Sequence, residues 1–126
     1  MSKLEKPLID KYWAQVGGTI VYEFCMVRPS PTNAPRYLDA LILPQLETRV
    51  ARASEIVIEG QHIILVQAKC SRLGMYLMGQ ALFSVELMRK FKPASIRSIA
   101  LCIQDDAVLS PLLKPYSEVE LVTISS

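Results

Sequence analysis

Two polar side chains close an apolar run in His62-Ile63-Ile64-Leu65-Val66-Gln67-Ala68-Lys69-Cys70. Residues two apart on a strand project from one face, so Gln67 and Lys69 stand roughly 6 to 7 Å apart along it, at about 3.3 Å per residue. An amide able to offer an oxygen and an ammonium able to meet an anion thus emerge together. Upstream, Arg36-Tyr37-Leu38-Asp39-Ala40-Leu41-Ile42-Leu43-Pro44 is a second apolar run interrupted by one acid. Were the two runs neighbours, Asp39, Gln67 and Lys69 would gather a carboxylate, an amide and an ammonium around one point, a cradle for a divalent cation and a phosphate. The same residues also fit a blander arrangement, a buried Asp39–Lys69 ion pair beside a hydrogen-bonded glutamine, because an ammonium is costly to bury alone.

The elements that must position these groups follow from pattern. Ile63 to Val66, four consecutive branched apolar residues, predict a strand buried on both faces. Leu4, Leu8, Ile9, Tyr12, Trp13 and Val16 recur at helical spacing over residues 3–16, with Pro7 in the first turn and Gly17-Gly18 as the stop. Thr19–Val27 predicts a strand carrying one charge, Glu23, and the three prolines of residues 28–35 predict a loop. Residues 45–54 give no regular pattern. Glu55-Ile56-Val57-Ile58-Glu59 predicts a short strand, joined by Gly60-Gln61 in a hairpin to the buried one. Residues 72–91 predict the longest helix, apolar over more than half its circumference. A strand at 95–104, a short helix at 105–113 and a last strand at 119–124 complete an α/β order.

Composition narrows the function classes. The 126 residues suit one domain, 1–126, and 51% are apolar. Fourteen basic against twelve acidic residues give a net charge of +2, too little for attraction to nucleic acid without local clustering. Arg28, Arg36, Arg49, Arg52 and Arg72 are candidates for a phosphate-tracking face, while Arg89-Lys90-Lys92 is explained by the dipole of the helix it ends. Cys25, Cys70 and Cys102 are odd in number and lie in apolar segments, which predicts reduced thiols, and one histidine excludes a zinc cluster. The first residues lack the apolar core of a signal peptide and no run is long enough to span a bilayer, so a cytoplasmic protein is expected.

With this order of elements the chain resembles the PD-(D/E)XK nuclease superfamily, the restriction-endonuclease-like fold. The likeness covers residues 3–104: a helix, three antiparallel strands, a helix and a further strand, αβββαβ, in a mixed sheet flanked by helices. Here the C-terminal short helix and strand follow that core. Asp39 is similar to the superfamily's first motif, with Leu38 where proline is common. Gln67-Ala68-Lys69 is similar to its acid-x-Lys triplet, with glutamine replacing the acid. The resemblance implies a Mg2+- or Mn2+-dependent phosphodiesterase, an endo- or exonuclease acting on DNA before RNA. Its metal would be held by Asp39, Gln67, the Ala68 carbonyl and an early acid, Glu23 or alternatively Glu5. Lys69 would serve the attacking water and the transition state, and Gln80 would face the site from the following helix. An amide in place of a carboxylate removes one negative charge and predicts weaker metal binding. A homodimer is expected if the target is duplex. The alternatives are a catalytically inactive module that binds nucleic acid or protein, a structural subunit docking through the apolar helix, and a different enzyme using Lys69 as a nucleophile, for which the sequence offers no supporting base.

Overall fold

A computed structural model describes residues 3–125. Helix α1 spans Glu5–Val16 and buries Leu8, Ile9 and Tyr12. Pro7 lies in its first turn, where no intrahelical N–H is lost. The chain then turns through Gly17 and Gly18, both with positive φ (71° and 85°). At Gly18 a β-carbon would lie 2.5 Å from both the Leu43 carbonyl oxygen and the Pro44 Cα, so the close approach requires glycine.

Strands β1 (Thr19–Val27), β2 (Arg36–Leu43), β3 (Arg49–Val50), β4 (His62–Ala68), β5 (Ser95–Cys102) and β6 (Val119–Thr123), with helix α2 (Met75–Met88) between β4 and β5, complete the regular elements apart from short 3-10 turns. They form one six-stranded mixed sheet in the order β3-β1-β2-β4-β5-β6. β1, β2 and β4 pair antiparallel, whereas β4–β5 and β5–β6 are parallel. A parallel neighbour demands a crossover, and α2 is the crossover from β4 to β5.

The fold is therefore α/β, a mixed sheet flanked by two helices. β4 shows why its apolar run must be continuous. Ile63 and Leu65 pack with Leu77, Ala81, Val85 and Met88 of α2, whereas Ile64 and Val66 pack with Leu8, Ile9 and Tyr12 of α1. Alternate side chains enter opposite layers, and both layers are dry. The three cysteines are free thiols, and burial pushes the Cys102 thiol up from its ordinary value.

Three expectations are corrected, and one open stretch is filled. Glu55-Ile56-Val57-Ile58-Glu59 is no strand and forms no hairpin with β4. A 3-10 turn at Ala53–Glu55 leads into irregular chain there, because β2 and β5 already occupy both ladders of β4. Ile58 still buries its side chain in the α2 layer. Residues 45–54, whose structure the sequence leaves open, supply β3, a two-residue edge strand parallel to β1. The long helix is shorter than 72–91, running Met75–Met88 before a 3-10 turn at Arg89–Phe91 and a left-handed Lys92. The expected helix at 105–113 is only a 3-10 turn, Ser110–Leu113.

Candidate functional site

The ladder between β2 and β4 stops at Ala40 opposite Val66. Beyond it the strands are joined by side chains. The Ala68 N–H donates to Asp39 Oδ2 at 2.8 Å, and the Asp39 N–H donates to Gln67 Oε1 at 3.4 Å. Gln67 Nε2 donates to the Tyr37 carbonyl at 3.1 Å and to Ser84 Oγ of α2 at 3.2 Å. Asp39 and Gln67 thus take over where main-chain pairing gives out, and the opening lies at the end of the most buried strand.

A break in alternation puts Asp39 there. In β2, Leu41 and Leu43 face the α2 layer while Ala40 and Ile42 face the α1 layer, yet Leu38 returns to the α2 layer. The strand turns over at Asp39. Its register partner turns over too: Tyr22 packs in the α1 layer, Phe24 in the α2 layer, and Glu23 between them has φ 51°. Left-handed backbone at a non-glycine residue inside a strand is unusual, and here it lies directly across from the candidate carboxylate.

Burial pushes the Asp39 carboxyl above the ordinary aspartate value. The Ala68 N–H acts against that rise, and the negative charge of Glu5 adds to it. Of the two early acids considered from sequence, Glu5 at the start of α1 is thus one whose charge reaches Asp39. Glu23 is exposed. Lys69 follows β4 directly and is exposed; its N–H donates to the Leu101 carbonyl at 2.9 Å. Among the described residues Lys69 forms no ion pair with Asp39, so the bland arrangement of a buried Asp39–Lys69 pair is not what this strand end builds.

Gln67 is 2% exposed, and its amide hydrogens go to Tyr37 and Ser84. Gln80 is half-buried on α2 and, with Gln67 and Ser84, lines a groove of about 440 Å³ beside the strand end. Sequence reasoning missed this groove, although Tyr37, Tyr76 and Phe83, the aromatic residues lining it, were visible as ring side chains around Asp39 and Gln80. Arg49 and Arg52, two of the expected phosphate-tracking arginines, lie against Glu47 and Glu55.

Among the described residues no group of three or more histidine, cysteine, aspartate or glutamate side chains could hold a metal ion. The donor set at the strand end is Asp39 with Glu5 nearby. Two carboxylates completed by water are enough for magnesium, and a cation beside a carboxyl favours its charged form, against the burial that disfavours it at Asp39. The residues fit a hydrated ion held on one side and not an enclosed metal cage.

Comparison with protein-family models, with curated proteins and with solved structures finds no match. Among the described residues no helix is long and apolar enough to cross a membrane.

Proposed function

We propose that the chain is a metal-dependent phosphodiesterase acting on nucleic acid, DNA before RNA, of the PD-(D/E)XK type. The observation that carries this reading is the parted end of the β2–β4 ladder. There a half-buried acid stands against the last main-chain amide of β4, with the charge of Glu5 reaching it and Lys69 next in the chain. The element order of α1, three antiparallel strands, α2 and a parallel strand agrees with it.

In this reading Asp39 is the central carboxylate and Glu5 the supporting one, in preference to the exposed Glu23. A magnesium or manganese ion held by them supplies positive charge to the phosphate and lowers the pKa of water at the site. The Ala68 N–H fixes one oxygen of Asp39. Lys69 orients the attacking water and offsets charge gathering on the phosphate oxygens. Gln67 acts here as the strut that positions Asp39, because its amide is already bound to main chain and to Ser84.

The second reading, a catalytically silent nucleic-acid or protein module, is favoured by that same engagement of Gln67. One experiment separates the two. Plasmid, single-stranded DNA and RNA are incubated with the protein plus magnesium, manganese or chelator. Cleavage that needs metal and vanishes in Lys69→Ala, Asp39→Asn and Glu5→Gln is expected. Binding without cleavage in any metal would establish the silent module instead.

A further inference from the structure

From the groove over Gln67 we infer that the protein takes an unpaired nucleobase of single-stranded nucleic acid, an inference that rests on the nucleic-acid reading above and narrows its substrate. The groove lies between α2 and the start of β2. Three exposed rings line it, Tyr37 (53% exposed), Tyr76 (79%) and Phe83 (69%). Large aromatic faces left in water cost free energy unless something covers them. At about 440 Å³ the groove falls within the range of small-ligand sites.

Its polar groups decide what covers the rings. Among the described residues Arg36 is the one charged side chain lining the groove, and no carboxylate joins it there. The half-buried Gln80 presents an amide with donors and an acceptor, matching the edge of a base. Every nucleotide has a flat base face for stacking and a phosphate for a guanidinium, which is how sequence-tolerant single-strand sites are built. An apolar helix or a second copy laid here would press Arg36 and Gln80 against hydrocarbon. In a duplex, base faces are stacked on one another and cannot cover these rings, so the ligand must be unpaired. The groove is tied to the strand end through Gln67, which lines it and whose amide oxygen accepts from the Asp39 N–H.

Fluorescence polarisation with short fluorescein-labelled oligothymidine, against its duplex with oligoadenine and in chelator, tests this. Tighter binding of the strand is expected, with a loss of at least about tenfold in Tyr76→Ala/Phe83→Ala. Arg36→Ala should also weaken the strand, and Val108→Ala, an exposed apolar residue outside the groove, should not. The rings are solvent-facing, so the thermal midpoint should hold; if it falls, Tyr76→Phe/Phe83→Tyr, which keeps both rings, must retain binding. Equal affinity for strand and duplex, or an alanine double variant that binds like the wild type, would overturn the inference. So would a concentration-dependent dimer that the double variant dissolves. Chelator keeps cleavage out of the measurement. A protein that binds the strand through the rings yet never cuts sinks the phosphodiesterase reading alone, and one that cuts duplex regardless of the rings sinks this inference alone.

Discussion

At the scale of residues, Gln67 is the side chain on which the strand end hangs. A glutamate there would keep the shape but lose both donors, and would point a carboxylate oxygen at the Tyr37 carbonyl in a buried site. Gln67→Glu should therefore destabilise the protein by about 2–4 kcal/mol, read from urea unfolding at constant m-value. An unchanged midpoint would remove the strut role. Asp39 makes the opposite prediction. Its folded carboxyl binds a proton more tightly than the ordinary value of 3.8, so its favourable contribution is complete below that pH and is withdrawn as pH rises through the folded value. Asp39→Asn keeps an acceptor for Ala68 and removes the charge. Its thermal midpoint should exceed the wild type's at neutral pH, with the gap closing toward about pH 4, while cleavage is lost. Asp39 and Gln67 were legible as polar interruptions of apolar strands, and their nearness followed once those strands proved to be neighbours. The direction of the Gln67 amide was not, because Ser84 reaches it from a helix whose rotation no local pattern sets. The reach of Glu5 was equally hidden, since it depends on where α1 crosses the sheet.

Among the elements, the turn from α1 into β1 is the most constrained. Gly18→Ala would drive a methyl group into the Leu43–Pro44 backbone at a φ that L-residues avoid. A loss of more than about 2 kcal/mol is expected, far above an ordinary glycine-to-alanine change, and chemical denaturation measures it. The long strands and both helices could be read from sequence because apolar period and burial agree there, as in the unbroken Ile63 to Val66. Residues 55–59 misled for the converse reason. Ile56-Val57-Ile58 has the composition of a strand, but composition does not reveal that both ladders of β4 are taken. β3 was missed because two residues carry no period. The turnover at Glu23 and Asp39 leaves no trace in hydropathy, as it exchanges the faces of residues that are apolar on either side.

For the whole molecule, charge is spread in pairs. Arg49 and Arg52 lie near Glu47 and Glu55, Arg89 near Glu86 and Glu118, and Arg97 bonds Glu120. On the nucleic-acid reading, Arg36 in the groove and Lys69 after β4, with Arg28 and Arg72 outside these pairs, are the cations expected to meet phosphates. With about four phosphate contacts on a single strand, log K against log salt should have a slope no steeper than about −3. A much steeper slope would mean that the paired arginines join the interface. The sheet's two borders are unequal, two residues at β3 and five at β6. Exposed strand borders invite copies to add to one another, and unlimited addition needs a usable border on each side. On the β3 side the cover reaches only Thr19 and Ile20 of the nine-residue β1, and what lies beyond is bent by left-handed Glu23 and a register shift between Cys25 and Val27, so a straight strand from another copy could follow β6 but not that crooked border.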